Sequence, residues 1–213
     1  MKCDKKSMLL YAVTDRTWLK EQSLATQVEE ALKGGVTFVQ LREKKLDYDT
    51  FLEEAKRMKA LCEKYHVPFV INDNVEIAIA SNADGIHIGQ SDGNVRDIRA
   101  KLGENKIIGV SAQTVEQAIR AQQEGADYLG VGAVFSTSTK LDADFVSYET
   151  LKSICDAVNI PVIAIGGISE NNILELSGTG IDGVAVVSAL FAKPDIKAAA
   201  QNLCTLSKNM IKL

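Results

Sequence analysis

The sequence lacks a basic excess: 24 lysines and arginines face 28 acidic residues, leaving a formal charge of -4. Nucleic acids and anionic membrane surfaces both demand surplus cations, so neither is expected as a partner. Long apolar runs are missing too. The longest reach about six residues, far short of the ~20 in a membrane-spanning helix, and Met1-Lys2-Cys3-Asp4-Lys5-Lys6 leads into a strand-like segment rather than a signal-peptide core. A cytoplasmic location is expected. The four cysteines, Cys3, Cys62, Cys155 and Cys204, form no CxxC pair and no metal-ligand spacing. Cys62 and Cys155 sit among apolar residues of helical period, where a cysteine acts as a small buried hydrophobe, as suits a reducing compartment. Histidine is scarce, with two in the chain. His87 reads as a hydrogen-bonded core residue of a strand, and His66, ahead of Pro68, as structural. No Pro-, Gly- or Ser-rich linker breaks the 213 residues, so one domain over 1–213 is expected.

What is present is alternation. Short β-branched apolar runs occur at 9–14, 37–41, 69–71, 85–88, 107–110, 128–131, 161–165 and 183–187. Most are apolar on both faces, as parallel strands under helices should be. Between them lie stretches of helical period. Leu24, Val28, Ala31 and Leu32 share one face before Gly34-Gly35, and Phe51, Leu52, Ala55, Met58 and Cys62 share another. Thr114-Val115-Glu116-Gln117 has the form of a capping box, and Pro194 fits the first turn of a final helix. Ala83-Asp84-Gly85, Ala126-Asp127-Tyr128 and Ile181-Asp182-Gly183 each stand between a helix and a strand, and Gly34-Gly35-Val36 resembles them. They precede the second, fourth, sixth and eighth runs. Such a recurrence suits a closed, approximately symmetric repeat. Eight β/α units in this length predict an α/β fold, a single (β/α)8 TIM barrel. A doubly wound open sheet is the competing architecture.

The unusual polar residues gather after the runs, where a parallel barrel places its active site. Gln40, Arg42 and Lys44 alternate along one strand and so project to one side. A guanidinium fork beside an ammonium suits a polyanion such as a diphosphate; alternatively, the two cations pair with Glu43 or nearby helix acids on the surface. Asp73 and Asp92 follow neighbouring strands and could share Mg²⁺, or each could cap the helix after it. Ile165-Gly166-Gly167-Ile168 and Val187-Ser188-Ala189 follow the last two strands, where backbone N–H groups often bind phosphate.

Leu10-Tyr11-Ala12-Val13-Thr14-Asp15, Gln40-Leu41-Arg42-Glu43-Lys44, Ile71-Asn72-Asp73, His87-Ile88-Gly89-Gln90-Ser91-Asp92, Gly109-Val110-Ser111, Thr137-Ser138-Thr139-Lys140 and Ile165-Gly166-Gly167-Ile168 resemble, in order, the motifs of the thiamine-phosphate synthase family. The resemblance extends over nearly the whole chain. It implies a transferase that joins 4-amino-5-hydroxymethyl-2-methylpyrimidine diphosphate to hydroxyethylthiazole phosphate, giving thiamine phosphate and pyrophosphate. By the same resemblance Gln40, Arg42, Lys44, Asn72 and Lys140 would hold the pyrimidine diphosphate, and Asp73 and Asp92 would bind Mg²⁺. Ser111 would contact pyrophosphate. Thr137 and Thr139 would contact the thiazole phosphate, with Gly167 and the backbone near Val187 and Ser188. Arg42, Lys44, Lys140 and Ser111 would then be the catalytic groups, stabilising the leaving charge.

One departure is visible: Ser136 stands where the family usually has proline, so segment 136–144 is expected to be less rigid, a lid that orders on binding. Three rival readings remain. They are a thiazole tautomerase of the same fold, a Schiff-base aldolase using Lys140, and a barrel that only senses thiazole phosphate or thiamine phosphate. The expected partners are small-molecule substrates, with assembly into a homo-oligomer left open.

Overall fold

The computed structural model describes residues 3–19, 21–136 and 145–212. Its strands are β1 (Leu10–Val13), β2 (Phe38–Leu41), β3 (Phe69–Asn72), β4 (Gly85–Ile88), β5 (Ile107–Ala112), β6 (Tyr128–Val131), β7 (Val162–Ile165) and β8 (Gly183–Val186). They form a closed parallel barrel in sequence order. The closing pair sets Leu10 against Val184 and Ala12 against Val186. An open doubly wound sheet would leave those strands as edges. All eight apolar runs became strands, with ends shifted by no more than two residues.

Strand alternation produces two cores. Tyr11 and Val13 point into the barrel, where they join Met8, Phe38, Val70, Ile107, Tyr128, Ile163 and Ala185. Leu10 and Ala12 point outward into the larger core beneath the helices. This is why the strands read as apolar on both faces.

The helices are α1 (Leu24–Lys33), α2 (Tyr48–Lys64), α3 (Val75–Ala80), α4 (Val95–Leu102), α5 (Val115–Glu124), α6 (Tyr148–Ala157), the short α7 (Ser188–Phe191) and α8 (Ile196–Met210). Side chains of Ser23, Asp47, Asn74, Asn94, Thr114, Ser147 and Asp195 each accept a first-turn backbone N–H. At α5, Gln117 N donates to Thr114 Oγ1 (3.2 Å), while Gln117 Oε1 accepts from Gln113 N (2.7 Å). The predicted box forms, with its return bond one residue early. Pro194 is a correction. Asp195 caps α8 through Ala198 N, so the proline precedes the cap instead of entering the first turn. The seventh unit also falls short of a full helix, with a 3₁₀ turn at Ile173–Leu176.

The sequence repeat has a physical cause. Asp84 Oδ2 accepts from Phe69 N (2.9 Å), Asp127 Oδ2 from Ile108 N (2.8 Å) and Asp182 Oδ2 from Val162 N (3.0 Å). Their own amides donate back to the carbonyls of the same three residues. Before β2, Thr37 makes the equivalent clasp on Leu10, with Oγ1 accepting at 2.9 Å. Each even strand is thereby buttoned to the start of the odd strand before it. Lys59, Arg99 and Lys5 pair with the three carboxylates at 2.9, 2.6 and 3.0 Å. Asp127→Ala would leave the part-buried Ile108 N–H without its acceptor and remove the carboxylate from Arg99, whose guanidinium keeps the Gly103, Lys106 and Gly125 carbonyls. A loss of about 2 kcal/mol is expected, seen calorimetrically as a melting midpoint about 4–8 °C lower. An unchanged midpoint would show that the clasps are incidental.

The cysteines are free thiols. Cys62 is buried as expected while Cys155 is only half-buried, and desolvation pushes both thiols up to about 12, far from reactive thiolates. Among the described residues, no helix is long and apolar enough to cross a membrane.

Candidate active site

The clasps occupy the amino ends of the strands, which leaves the carboxyl ends to shape a cavity of about 550 Å³. Gln40, Arg42, Lys44, Asn72, Asp73 and Asp92 all border it. So do Ser111, Gly167, Val187 and Ser188. Ten of the predicted site residues are therefore brought together. The other three, Thr137, Thr139 and Lys140, lie outside the described residues, as do most positions of segment 136–144.

The rim cations are freed from the surface pairing that Glu43 offered. Arg16 takes Glu43 instead, with Nε donating to Oε1 at 2.7 Å, and reaches Glu54 at 3.1 Å. The Glu43 side chain is only 4% exposed. Burial pushes its pKa up, against the lowering pull of Arg16. Arg42 is left with a loose approach to Asp15 at 3.8 Å, and its backbone N donates to buried Thr14 Oγ1 at 3.0 Å. Thr14 thus fixes where Arg42 leaves the strand. Lys44 Nζ donates to Asp73 Oδ2 across the mouth.

Neither aspartate caps a helix. Asn74 caps α3 and Asn94 caps α4, so Asp73 and Asp92 stay on the cavity wall. Asp73 holds a left-handed backbone (φ 62°), which aspartate tolerates better than most residues. Its amide donates to the His87 carbonyl at 2.9 Å. Asp92 Oδ2 accepts from Gly89 N at 2.7 Å, closing a tight turn after β4. Gln90 Nε2 braces that turn by donating to the Ser111 carbonyl at 2.6 Å, and Arg120 donates to Gln90 Oε1 at 2.5 Å. Among the described residues, no three His, Cys, Asp or Glu side chains cluster as a metal cage. Two carboxylates at one mouth remain.

The floor is aromatic and amidic. Tyr11 borders the cavity and packs on Phe38 beneath it, a tilted pair with centroids 4.6 Å apart. Gln40 is 4% exposed and donates through Nε2 to the Tyr11 hydroxyl at 2.7 Å. His87 is hydrogen-bonded as expected, to Tyr128 and Ser111, but it is half-buried and borders the cavity instead of lying in the core. Sequence reasoning did not single out Tyr11 or Tyr128, which looked like strand hydrophobes. Their inward phase within the runs was the available signal.

The far side of the mouth is glycine backbone. Gly166 and Gly167 have φ of 99° and 67°. Phe135 N donates to the Gly166 carbonyl at 3.1 Å, and Asn172 Nδ2 to the Gly167 carbonyl at 2.9 Å. Chain neighbours Val187 and Ser188 lead directly into α7.

The chain is 54% identical to the thiamine-phosphate synthase of Clostridium tetani over 194 residues, covering 91% of this chain and 93% of the relative. It is 49% identical to the thiamine-phosphate synthase of Methanobrevibacter smithii, covering 91% and 92%. The solved thiamine phosphate pyrophosphorylase of Pyrococcus furiosus superposes with a TM-score of 0.90 at 36% identity, covering 97% of this chain and 98% of that one. Residues 10–190 match the profile of the family described as thiamine monophosphate synthase. The chain belongs to that family of transferases.

Proposed function

We propose that the protein joins 4-amino-5-hydroxymethyl-2-methylpyrimidine diphosphate to hydroxyethylthiazole phosphate, releasing pyrophosphate, on a single barrel domain spanning 1–213. The observation that carries this reading is one cavity holding an amide and aromatic floor beneath a rim of Arg42, Lys44, Asp73 and Asp92. A flat aminopyrimidine suits the floor, and a diphosphate suits the rim.

Magnesium prefers one or two carboxylates completed by phosphate oxygens and water. Asp73 and Asp92 fit that demand, since both border the cavity and neither is used as a helix cap. They would hold the ion, which supplies neutralisation of charge on the leaving diphosphate. Lys44 and Asp73 neutralise each other before substrate arrives. Ligands of opposite sign can separate such a pair without leaving either charge unmatched.

Arg42 and Lys44 at the rim, with Lys140 as the third cation that the family resemblance adds, would stabilise the oxygen that gathers charge as the methylene–oxygen bond breaks. The aminopyrimidine ring delocalises the cation left behind, and the thiazole nitrogen brings its own lone pair. No side-chain nucleophile is required. Asn72 supports the diphosphate, while Thr137, Thr139, Gly167 and the Val187–Ser188 backbone take the thiazole phosphate.

The test is formation of thiamine phosphate together with pyrophosphate from the two substrates, with and without a chelator of Mg²⁺. Coupled, metal-dependent formation is expected; tautomerisation of a thiazole without pyrophosphate release would favour the paralogous reading instead. In the same assay Arg42→Ala is expected to slow turnover at least about tenfold, some 1.4 kcal/mol of barrier. Its fold should survive, because Thr14 holds the Arg42 backbone rather than its side chain.

A further inference from the structure

Five side chains from five strands form one line of hydrogen bonds through the barrel. Gln40 Nε2 donates to the Tyr11 hydroxyl at 2.7 Å, and the Tyr11 and Tyr128 hydroxyls are 2.7 Å apart. The Tyr128 hydroxyl lies 2.9 Å from His87 Nδ1, and His87 Nε2 lies 3.0 Å from Ser111 Oγ. The barrel makes room for this line. A Cβ on Gly109 would fall 2.0 Å from Tyr128 Cζ, and one on Gly130 would fall 3.1 Å from His87 Cε1.

Proton counting gives the line a direction. An amide nitrogen only donates, so the Tyr11 proton cannot return to Gln40 and must go to Tyr128. Tyr128, having accepted, donates to His87 Nδ1. That nitrogen therefore carries the lone pair, and the neutral imidazole has its proton on Nε2, aimed at Ser111. Ser111 accepts it and keeps its own hydroxyl proton to give elsewhere. With the Gln40 amide in this orientation, any other order leaves a buried hydroxyl proton without an acceptor, which is costly. Burial holds both phenols well above their ordinary range, so each keeps its proton. Reversal needs the Gln40 amide to turn over, and it would commit the Ser111 proton to His87.

We propose that Tyr11, Tyr128 and His87 are positioning residues of a one-way hydrogen-bond relay. It presents Gln40 to the cavity as an acceptor for an amino-substituted heteroaromatic ring, and Ser111 as a donor to the departing phosphate oxygen. The part concerning substrate rests on the function proposed above. The ring read at one end thereby sets the donor available at the other. A ring with an oxo group in place of the amine asks Gln40 for a donor and reverses the line.

Tyr128 gives the cleanest test, because it is fully buried and is not among the described residues bordering the cavity. Tyr128→Phe keeps the ring and removes one link. Turnover is expected to fall about tenfold, with the KM for the pyrimidine diphosphate within about threefold of wild type. In a Ser111→Ala background the same change should cost nothing further, the signature of a shared path. Equal losses in both backgrounds, or none in either, would overturn the relay. Tyr11→Phe cuts the adjacent link and serves the same comparison if the first variant does not fold. Nitrogen-15 NMR of the imidazoles supplies a readout independent of turnover, and with two histidines in the chain the spectrum is simple. His87 should carry its proton on Nε2 in the wild type and lose that preference in Tyr128→Phe. A proton on Nδ1 refutes the relay even if catalysis is normal. A wild-type enzyme that forms no thiamine phosphate, with the expected tautomer present, refutes the substrate reading alone.

Discussion

Asp92→Asn is expected to lower turnover by at least about a hundredfold, the scale of losing one preorganised charge-stabilising group, without lowering the melting midpoint. The two effects separate because the carboxylate has two duties. Its Oδ2 accepts the Gly89 N–H at 2.7 Å, and a Cβ on that glycine would stand 2.9 Å from the same oxygen, so the turn is built tightly around it. An asparagine carbonyl oxygen accepts the same N–H, and the turn keeps its shape. What disappears is the negative charge that would hold Mg²⁺ beside Asp73. Asp92→Ala removes both duties and should melt earlier as well. Steady-state pyrophosphate release against Mg²⁺ concentration separates them: the asparagine variant should need much more metal. A rate within about threefold of wild type would make Asp92 a loop brace only.

The fold was legible because its signal is periodic. A strand buried on both faces shows itself in composition, and eight such runs at β/α spacing leave few architectures. Closure itself was not written in any one run; it emerges from the β1–β8 pairing. The candidate site was legible at the level of which end of the barrel, where ten of the thirteen expected residues border one cavity. Gln40, Arg42 and Lys44 do border one cavity, but β2 ends at Leu41, so only Gln40 is placed by strand alternation and the two cations reach the rim from the loop that follows. Partnership was not legible, because period reports the face and never the contact across it. Nothing in the local pattern said that Arg16, rather than Arg42, would take Glu43. Nor did it say that Asn74 and Asn94 would cap the helices and leave Asp73 and Asp92 at the mouth. Tyr128 shows the same limit. Its apolar ring fitted a strand, while its hydroxyl found partners on β1 and β4, distant in sequence.

Gly167→Ala should raise the KM for the thiazole phosphate by at least about thirtyfold, roughly 2 kcal/mol, while leaving the KM for the pyrimidine diphosphate within about threefold. The added Cβ would meet the Ser136 carbonyl oxygen at 2.4 Å and Phe135 Cβ at 2.7 Å. Backbone, not a flexible side-chain tip, blocks it, so segment 134–136 has to move. That segment leads straight into Thr137 and Thr139, the residues proposed to take the same phosphate. The left-handed φ of 67° adds a further penalty of roughly 1–2 kcal/mol for a residue with a Cβ, which predicts a midpoint lower by about 2–8 °C. Arg42, Asp73 and Asp92 should be spared. They follow β2, β3 and β4, and β3 lies four strands around the barrel from β7. Distance across the barrel, not the fold itself, therefore separates the two proposed phosphate sites. Equal rises in both KM values would mean one shared anion site, and no rise in either would move the thiazole phosphate away from Gly167.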